Sequence, residues 1–123
     1  MLEVSAHIVQ DAFSLEVAFS SDARITCLFG RSGAGKTTVA ELVAGLIPPV
    51  RGRVVLDGEV LLDTDAGVSV PVWKRRIGYV FQDARLFPHM TVRDNLLYGP
   101  RRSGDADPAL DEAVSLLGLE NLL

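Results

Sequence analysis

Apolar and polar side chains alternate from the first residues of the chain, with Leu2, Val4, Ala6 and Ile8 sharing one parity. That period of two predicts a strand buried on one face. After a break at Asp11-Ala12 the alternation resumes at Phe13, Leu15, Val17 and Phe19 and closes at Ser20-Ser21-Asp22. The two runs predict an antiparallel pair. Ile25-Thr26-Cys27-Leu28-Phe29 differs in kind, being almost continuously apolar, as expected of a strand buried on both faces of a parallel sheet. It runs into a glycine-rich stretch, Gly30 to Gly35. Beyond Lys36, the residues Val39, Leu42, Val43 and Leu46 follow helical spacing, with Gly45 and Pro48-Pro49 as stop signals.

Further along, Arg53-Val54-Val55-Leu56 and Glu59-Val60-Leu61-Leu62 flank Asp57-Gly58, a strong hairpin signal. Thr64 to Ser69 reads as a polar loop, and Ile77 to Phe81 as a second buried strand closed by Gln82-Asp83. Thr91-Val92-Arg93-Asp94 has the spacing of a capping box and predicts a short helix through Tyr98. Gly99 to Asp107 is polar. Asp107-Pro108 then resembles an N-cap with proline at the first helical position, followed by an apolar face of Leu110, Ala113, Val114 and Leu117. The chain stops on apolar residues, Leu122-Leu123, with no later strand to cover them. This ending predicts the N-terminal portion of a longer protein.

Composition narrows the class. A length of 123 residues suits one domain or part of one, and 48% hydrophobic against 23% charged residues excludes a disordered chain. With 12 Lys+Arg against 16 Asp+Glu the net charge is −4, which removes the electrostatic case for nucleic acid as a partner. The single cysteine, Cys27, excludes an internal disulfide. No apolar run has the length needed to span a bilayer, and no secretory signal is visible. These features together predict a soluble cytoplasmic chain.

The candidate chemistry lies in Gly30-Arg31-Ser32-Gly33-Ala34-Gly35-Lys36-Thr37, which matches G-x-x-x-x-G-K-[ST] in full. Glycines allow successive backbone N–H groups to turn around a phosphate through conformations that side chains obstruct. The helix behind the loop aims its unpaired N–H groups and positive dipole end at the same anion. Lys36 supplies a compact charge for the β- and γ-phosphates. The Thr37 hydroxyl is a hard donor suited to Mg²⁺, and Thr38 offers a further hydroxyl to the α-phosphate. A chance glycine-rich turn is the bland alternative, but a strand before the loop and an amphipathic helix after it favour the site. The motif alone does not choose between ATP and GTP, nor between water and a second substrate as phosphate acceptor.

The loop with its Thr37-Thr38 pair, the hairpin at Gly52 to Gly58, and Arg75-Arg76-Ile77-Gly78-Tyr79-Val80-Phe81-Gln82 together resemble the ATP-binding cassette family. Leu86-Phe87-Pro88-His89-Met90-Thr91-Val92, with Asn95-Leu96, is typical of cassettes that power bacterial importers. The run Phe81 to His89 is most similar to molybdate-importing cassettes. The resemblance implies an α/β fold, a P-loop NTPase core of parallel sheet, phosphate loop and helix, with an N-terminal antiparallel β subdomain. Residues 1–123 would be the N-terminal portion of the nucleotide-binding domain, running from Walker A through the Q-loop into the helical subdomain. It implies ATP and Mg²⁺ as ligands, with Gln82 beside Thr37 on the metal or orienting the attacking water. It also implies a second copy of the subunit, integral-membrane permease subunits, indirectly a periplasmic or extracellular solute-binding protein, and a peripheral place on the cytoplasmic face of the membrane.

The family's Leu-Ser-Gly-Gly segment, Walker B aspartate with its catalytic glutamate, and switch histidine are not found. Val54-Val55-Leu56-Asp57 imitates a Walker B strand, but Gly58 stands where an acid is wanted, and His7 and His89 are misplaced for the switch. The chain alone is therefore expected to bind ATP weakly and not to hydrolyse it. Phe13, the one aromatic candidate for stacking adenine, is in phase with Leu15 and Val17 and reads as core. Cys27 reads as a packed thiol, Lys74-Arg75-Arg76 as a solvated turn, Arg101-Arg102 as surface, and Trp73 as packing beneath the hairpin. Alternatives are a related importer for sulfate, iron, polyamine or sugar, a P-loop kinase, a non-transport cassette, and a pure interaction module. A kinase would need an arginine-rich lid where the sequence has a hairpin, and a GTPase would need an Asn-Lys-x-Asp motif that is absent.

Overall fold

The computed structural model describes residues 1–31, 33–103 and 110–123. It divides into two compact units, Met1–Tyr79 and Val80–Leu123.

The alternating runs at the N-terminus form the expected hairpin, β1 (Leu2–Gln10) and β2 (Phe13–Ser21), paired antiparallel with Ala6 opposite Val17. Asp11 takes a positive φ of 50° in the turn, a conformation that aspartate tolerates better than most residues. The second hairpin also forms, from β3 (Arg51–Leu56) and β4 (Glu59–Asp63). Its turn residues Asp57 and Gly58 have φ values of 49° and 81°, the double positive φ of a type I′ turn matched to strand twist. A two-residue strand, β5 (Val68–Ser69), forms inside the stretch read as a polar loop. The sheet order is β2-β1-β3-β4-β5, and every pairing is antiparallel.

Register puts Phe19, Val4, Val54 and Leu62 in one row across four strands. Val4, Ala6, Ile8, Val54, Leu61 and Leu62 bury together with Leu42 from helix α1 (Lys36–Ala44). The helix thus seals the sheet's apolar face, while Ser5 and Arg53 lie on the solvent face between Glu3 and Asp63, to which Arg53 is ion-paired.

The parallel sheet expected of Ile25–Phe29 and Ile77–Phe81 is not among the described elements, since neither segment is in a strand. Phe29 is 93% exposed and Val80 95%. A doubly buried strand needs hydrogen-bonded neighbours on its edges and layers on both faces, and no described strand pairs with either segment. Three smaller readings are corrected in the same region. Cys27 is exposed rather than packed. Trp73, in a short 3₁₀ turn (Val72–Lys74), is 80% exposed and is not buried beneath the hairpin. Arg75, read as part of a solvated turn, is buried.

In the second unit α2 spans Val92–Ser103, longer than the expected stop at Tyr98, and continues through Gly99-Pro100. Thr91 caps it as expected, its Oγ1 accepting from the Asp94 N–H at 3.1 Å. Helix α3 (Leu110–Leu116) buries Val114 and leaves Leu117, beyond its end, exposed. The Asp107-Pro108 cap lies outside the described residues. No helix among the described residues is long and apolar enough to cross a membrane.

Candidate functional site

The glycine-rich loop enters α1 through a left-handed residue, Gly35, at φ 97° and ψ 15°. A Cβ there would lie 2.8 Å from Leu15 Cδ2 and 3.2 Å from Phe13 Cζ. Only glycine fits both the backbone and the space. Gly33 is also left-handed, at φ 84°, and Ala34 N–H closes a turn on Arg31 O at 3.0 Å. The first rung of the helix is Val39 N–H to Gly35 O, at 3.0 Å. The N–H groups of Lys36, Thr37 and Thr38 precede that rung and have no intrahelical acceptor.

Nothing in the helix itself supplies the missing negative charge. No side chain caps Gly35's end of α1, and no acidic residue lies in its first turn. The helix dipole and the three leading N–H groups therefore favour an anion from outside. A cavity of about 380 Å³ opens there, lined by Phe13, Gly33, Gly35, Lys36, Thr37 and Thr38. Lys36 Nζ donates to Gly30 O at 2.5 Å, folding its side chain back over the loop. Cation, two hydroxyls and helix N-terminus thus converge on one opening.

Of the residues expected in the site, Gly33, Gly35, Lys36, Thr37 and Thr38 line this cavity. Gly30, Arg31 and Ala34 form the exposed approach to it, and Ser32 lies outside the described residues. Phe13 is corrected from core to cavity wall: it lines the opening, whereas Leu15, Val17 and Phe19 pack against the core. Strand periodicity gave the parity of Phe13 correctly, but its place at the end of the sheet puts it beyond the core cluster. Gln82 is exposed and belongs to the second unit.

Asp57, whose strand imitates a Walker B segment, is a turn residue as its place in the hairpin predicts. It sits in the β3–β4 turn and accepts from the Met1 ammonium at 2.6 Å, which raises the pKa of that amine chiefly through this hydrogen bond. No group of three or more His, Cys, Asp or Glu side chains suited to a metal occurs among the described residues.

Two residues have structural roles that the sequence reading does not assign. Asn95 accepts from Phe87 N–H at 2.8 Å and donates to the carbonyls of Phe87, Met90 and Thr91, stapling the loop before α2. Arg75 is hidden in a basic run, and only the packing of α1 distinguishes it from its neighbours.

Comparison with known proteins gives the family. The chain is 53% identical over 116 residues to the molybdenum import ATP-binding protein ModC of Rhizobium johnstonii, a span of 92% of this chain and 32% of that protein. It is 47% identical over 124 residues to ModC of Rhizobium meliloti, covering 99% and 35%. With ModC of Rhodospirillum rubrum it shares 48% over 125 residues, covering 100% and 34%. The chain therefore spans about a third of the length of the curated relatives it matches. The family described as ABC transporter matches residues 15–123, from inside β2 through the glycine-rich loop and both units, and the chain belongs to that family.

Proposed function

We propose that the loop from Gly30 to Thr38 holds the polyphosphate tail of ATP, and that the chain is the nucleotide-binding part of a molybdate importer's ATPase. One observation carries the reading: an uncapped helix N-terminus, a lysine and two threonine hydroxyls meet in a single cavity. Leading N–H groups of α1 bind phosphate oxygens, and Lys36 leaves Gly30 O to meet the β- and γ-phosphates. Phe13 offers an apolar face to the purine ring at the cavity wall.

The donor set fits Mg²⁺ held by phosphate oxygens, water and the Thr37 hydroxyl, because this ion keeps much of its water and rarely uses an all-protein cage. Bound there, it offsets charge on the β- and γ-phosphates. Gln82 supplies a neutral amide able to coordinate the ion or orient water without adding charge. Ile25–Phe29 and Ile77–Phe81 act as strands of a parallel P-loop core; their apolar runs, and the exposure of Ile25, Leu28, Phe29 and Val80, support this.

Molybdate as the transported solute rests on the names of the relatives. Partners follow from the same relationship: a second copy facing the loop, permease subunits in the membrane, and indirectly a solute-binding protein, with the subunit peripheral on the cytoplasmic face. The chain alone binds nucleotide without turnover, since Asp57 is committed to a turn, Asp63 at the end of β4 is ion-paired to Arg53, and the family's signature segment and catalytic glutamate are not found in the sequence. Titration calorimetry with Mg²⁺ and ATP tests the reading. Saturable heat lost in Lys36→Ala, with no sustained phosphate release, is the expected result; a folded chain giving no heat overturns it.

A further inference from the structure

Arg75 is the one buried charged side chain among the described residues, 6% exposed. Its Nη1 donates to Leu42 O at 3.2 Å and Val43 O at 3.0 Å, the last-turn carbonyls of α1. Its Nε donates to Val70 O at 2.7 Å, and Val70 N–H is bonded to Leu61 O on β4. One guanidinium thus ties the helix end to the sheet. Burial lowers the Arg75 pKa, yet a group this basic stays protonated at neutral pH, so a cation sits at the negative end of the helix dipole.

The helix end is shaped to receive it. Gly45 ends α1 at φ 86° in a Schellman arrangement, with Gly45 N–H on Leu42 O and Leu46 N–H on Glu41 O. A Cβ at Gly45 would lie 2.8 Å from Arg75 Cζ. Directly after Arg75 the chain turns through Arg76 at φ 57°. Ile77, Gly78 and Tyr79 then line a groove along α1 with Val39, Val43 and Ala44.

We propose that Arg75 is a positioning residue for the nucleotide site: by gripping the C-terminal carbonyls of α1 it fixes the helix whose other end presents the glycine-rich loop. The proposal rests on the nucleotide reading of that loop. A nine-residue helix is too short to hold itself and takes its order from tertiary anchors. At its N-terminus Gly35 leaves no room for a Cβ beside Leu15 and Phe13, and a bound anion would add to that hold; at its C-terminus Arg75 adds its hydrogen bonds to the burial of Leu42 and Ala44. Two attachments on one rigid element are thermodynamically linked, and the linkage acts in both directions.

The test is a titration of the ¹⁵N-labelled chain with Mg²⁺ and ATP, following the Gly33 and Gly35 amides and the Arg75 Nε–H. All three signals should shift with one midpoint. Glycine amides that move while Arg75 Nε–H stays fixed would overturn the role of Arg75 and leave the nucleotide site standing; no movement at any of them would overturn both. In parallel, Kd should rise about tenfold in Arg75→Met and only about threefold in Arg75→Lys, which keeps the charge but loses the fork. A folded Arg75→Met with a lower melting temperature and an unchanged Kd contradicts the proposal. Should Arg75→Met not fold, the titration of the native chain decides.

Discussion

Val54-Val55-Leu56 and Ile25-Thr26-Cys27-Leu28-Phe29 are similarly apolar, yet their fates differ. The first lies in β3, paired on one edge with β1 and on the other with β4, and Val54 is fully buried. The second is in no strand, and Ile25, Leu28 and Phe29 are all exposed. Hydrophobicity states a capacity for burial; ladder partners and a covering layer realise it. One β3 partner, β4, follows through the short Asp57-Gly58 turn, and the other, β1, is distant in sequence and already paired with β2. The segment before the glycine-rich loop is paired with no described strand.

The sharpest way to break this contrast is truncation of one residue on each side of it. Leu42→Ala, at the point where α1 meets the sheet core, should cost about 3 kcal/mol. Phe29→Ala should stay within about 0.5 kcal/mol. Urea unfolding of the two variants checks both values, and equal losses would mean that the segment before the loop is packed after all.

A smaller effect probes the turn that lets β3 find β4. Gly58→Ala meets no atoms within 4 Å of the new Cβ, so its cost is conformational alone. At φ 81° that cost should be about 1 kcal/mol, read as a lower melting temperature. The smallest effect lies at the Met1 ammonium on Asp57. Its pKa is raised by the hydrogen bond to that carboxylate, so its contribution is complete below the unfolded-state pKa and fades as pH rises through the raised folded value. Stability curves of the native chain and Asp57→Asn should therefore converge at alkaline pH. Asn-Gly preserves the turn preference, which isolates the ion pair.

Both hairpins were legible because alternation and the Asp57-Gly58 dipeptide are local signals with one structural solution. The helix after the loop was legible at both ends for the same reason: Gly35 and Gly45 each take a conformation that few other residues adopt. The loop itself was read from a motif whose residue types follow from phosphate chemistry. Other features were not legible, among them three that bear on the site. The exposure of Ile25–Phe29 depends on what pairs with it, and an apolar run does not carry that information. Phe13 shares the parity of core residues but sits at the sheet's end, where parity ceases to mean burial. Arg75 looks like its neighbours Lys74 and Arg76 until the carbonyls at the end of α1 are placed beside it.

Recognition of a polyphosphate tail by the loop underlies the functional account, and a competition experiment tests it most directly. A fluorescent ATP analogue bound to the chain with Mg²⁺ is challenged in turn with inorganic tripolyphosphate and with adenosine. Tripolyphosphate should displace the analogue and adenosine should not, while Phe13→Ala should weaken ATP about fivefold through lost stacking and leave tripolyphosphate unaffected. Displacement by adenosine alone would contradict the account, because binding would then follow the base and not the anion at the helix N-terminus.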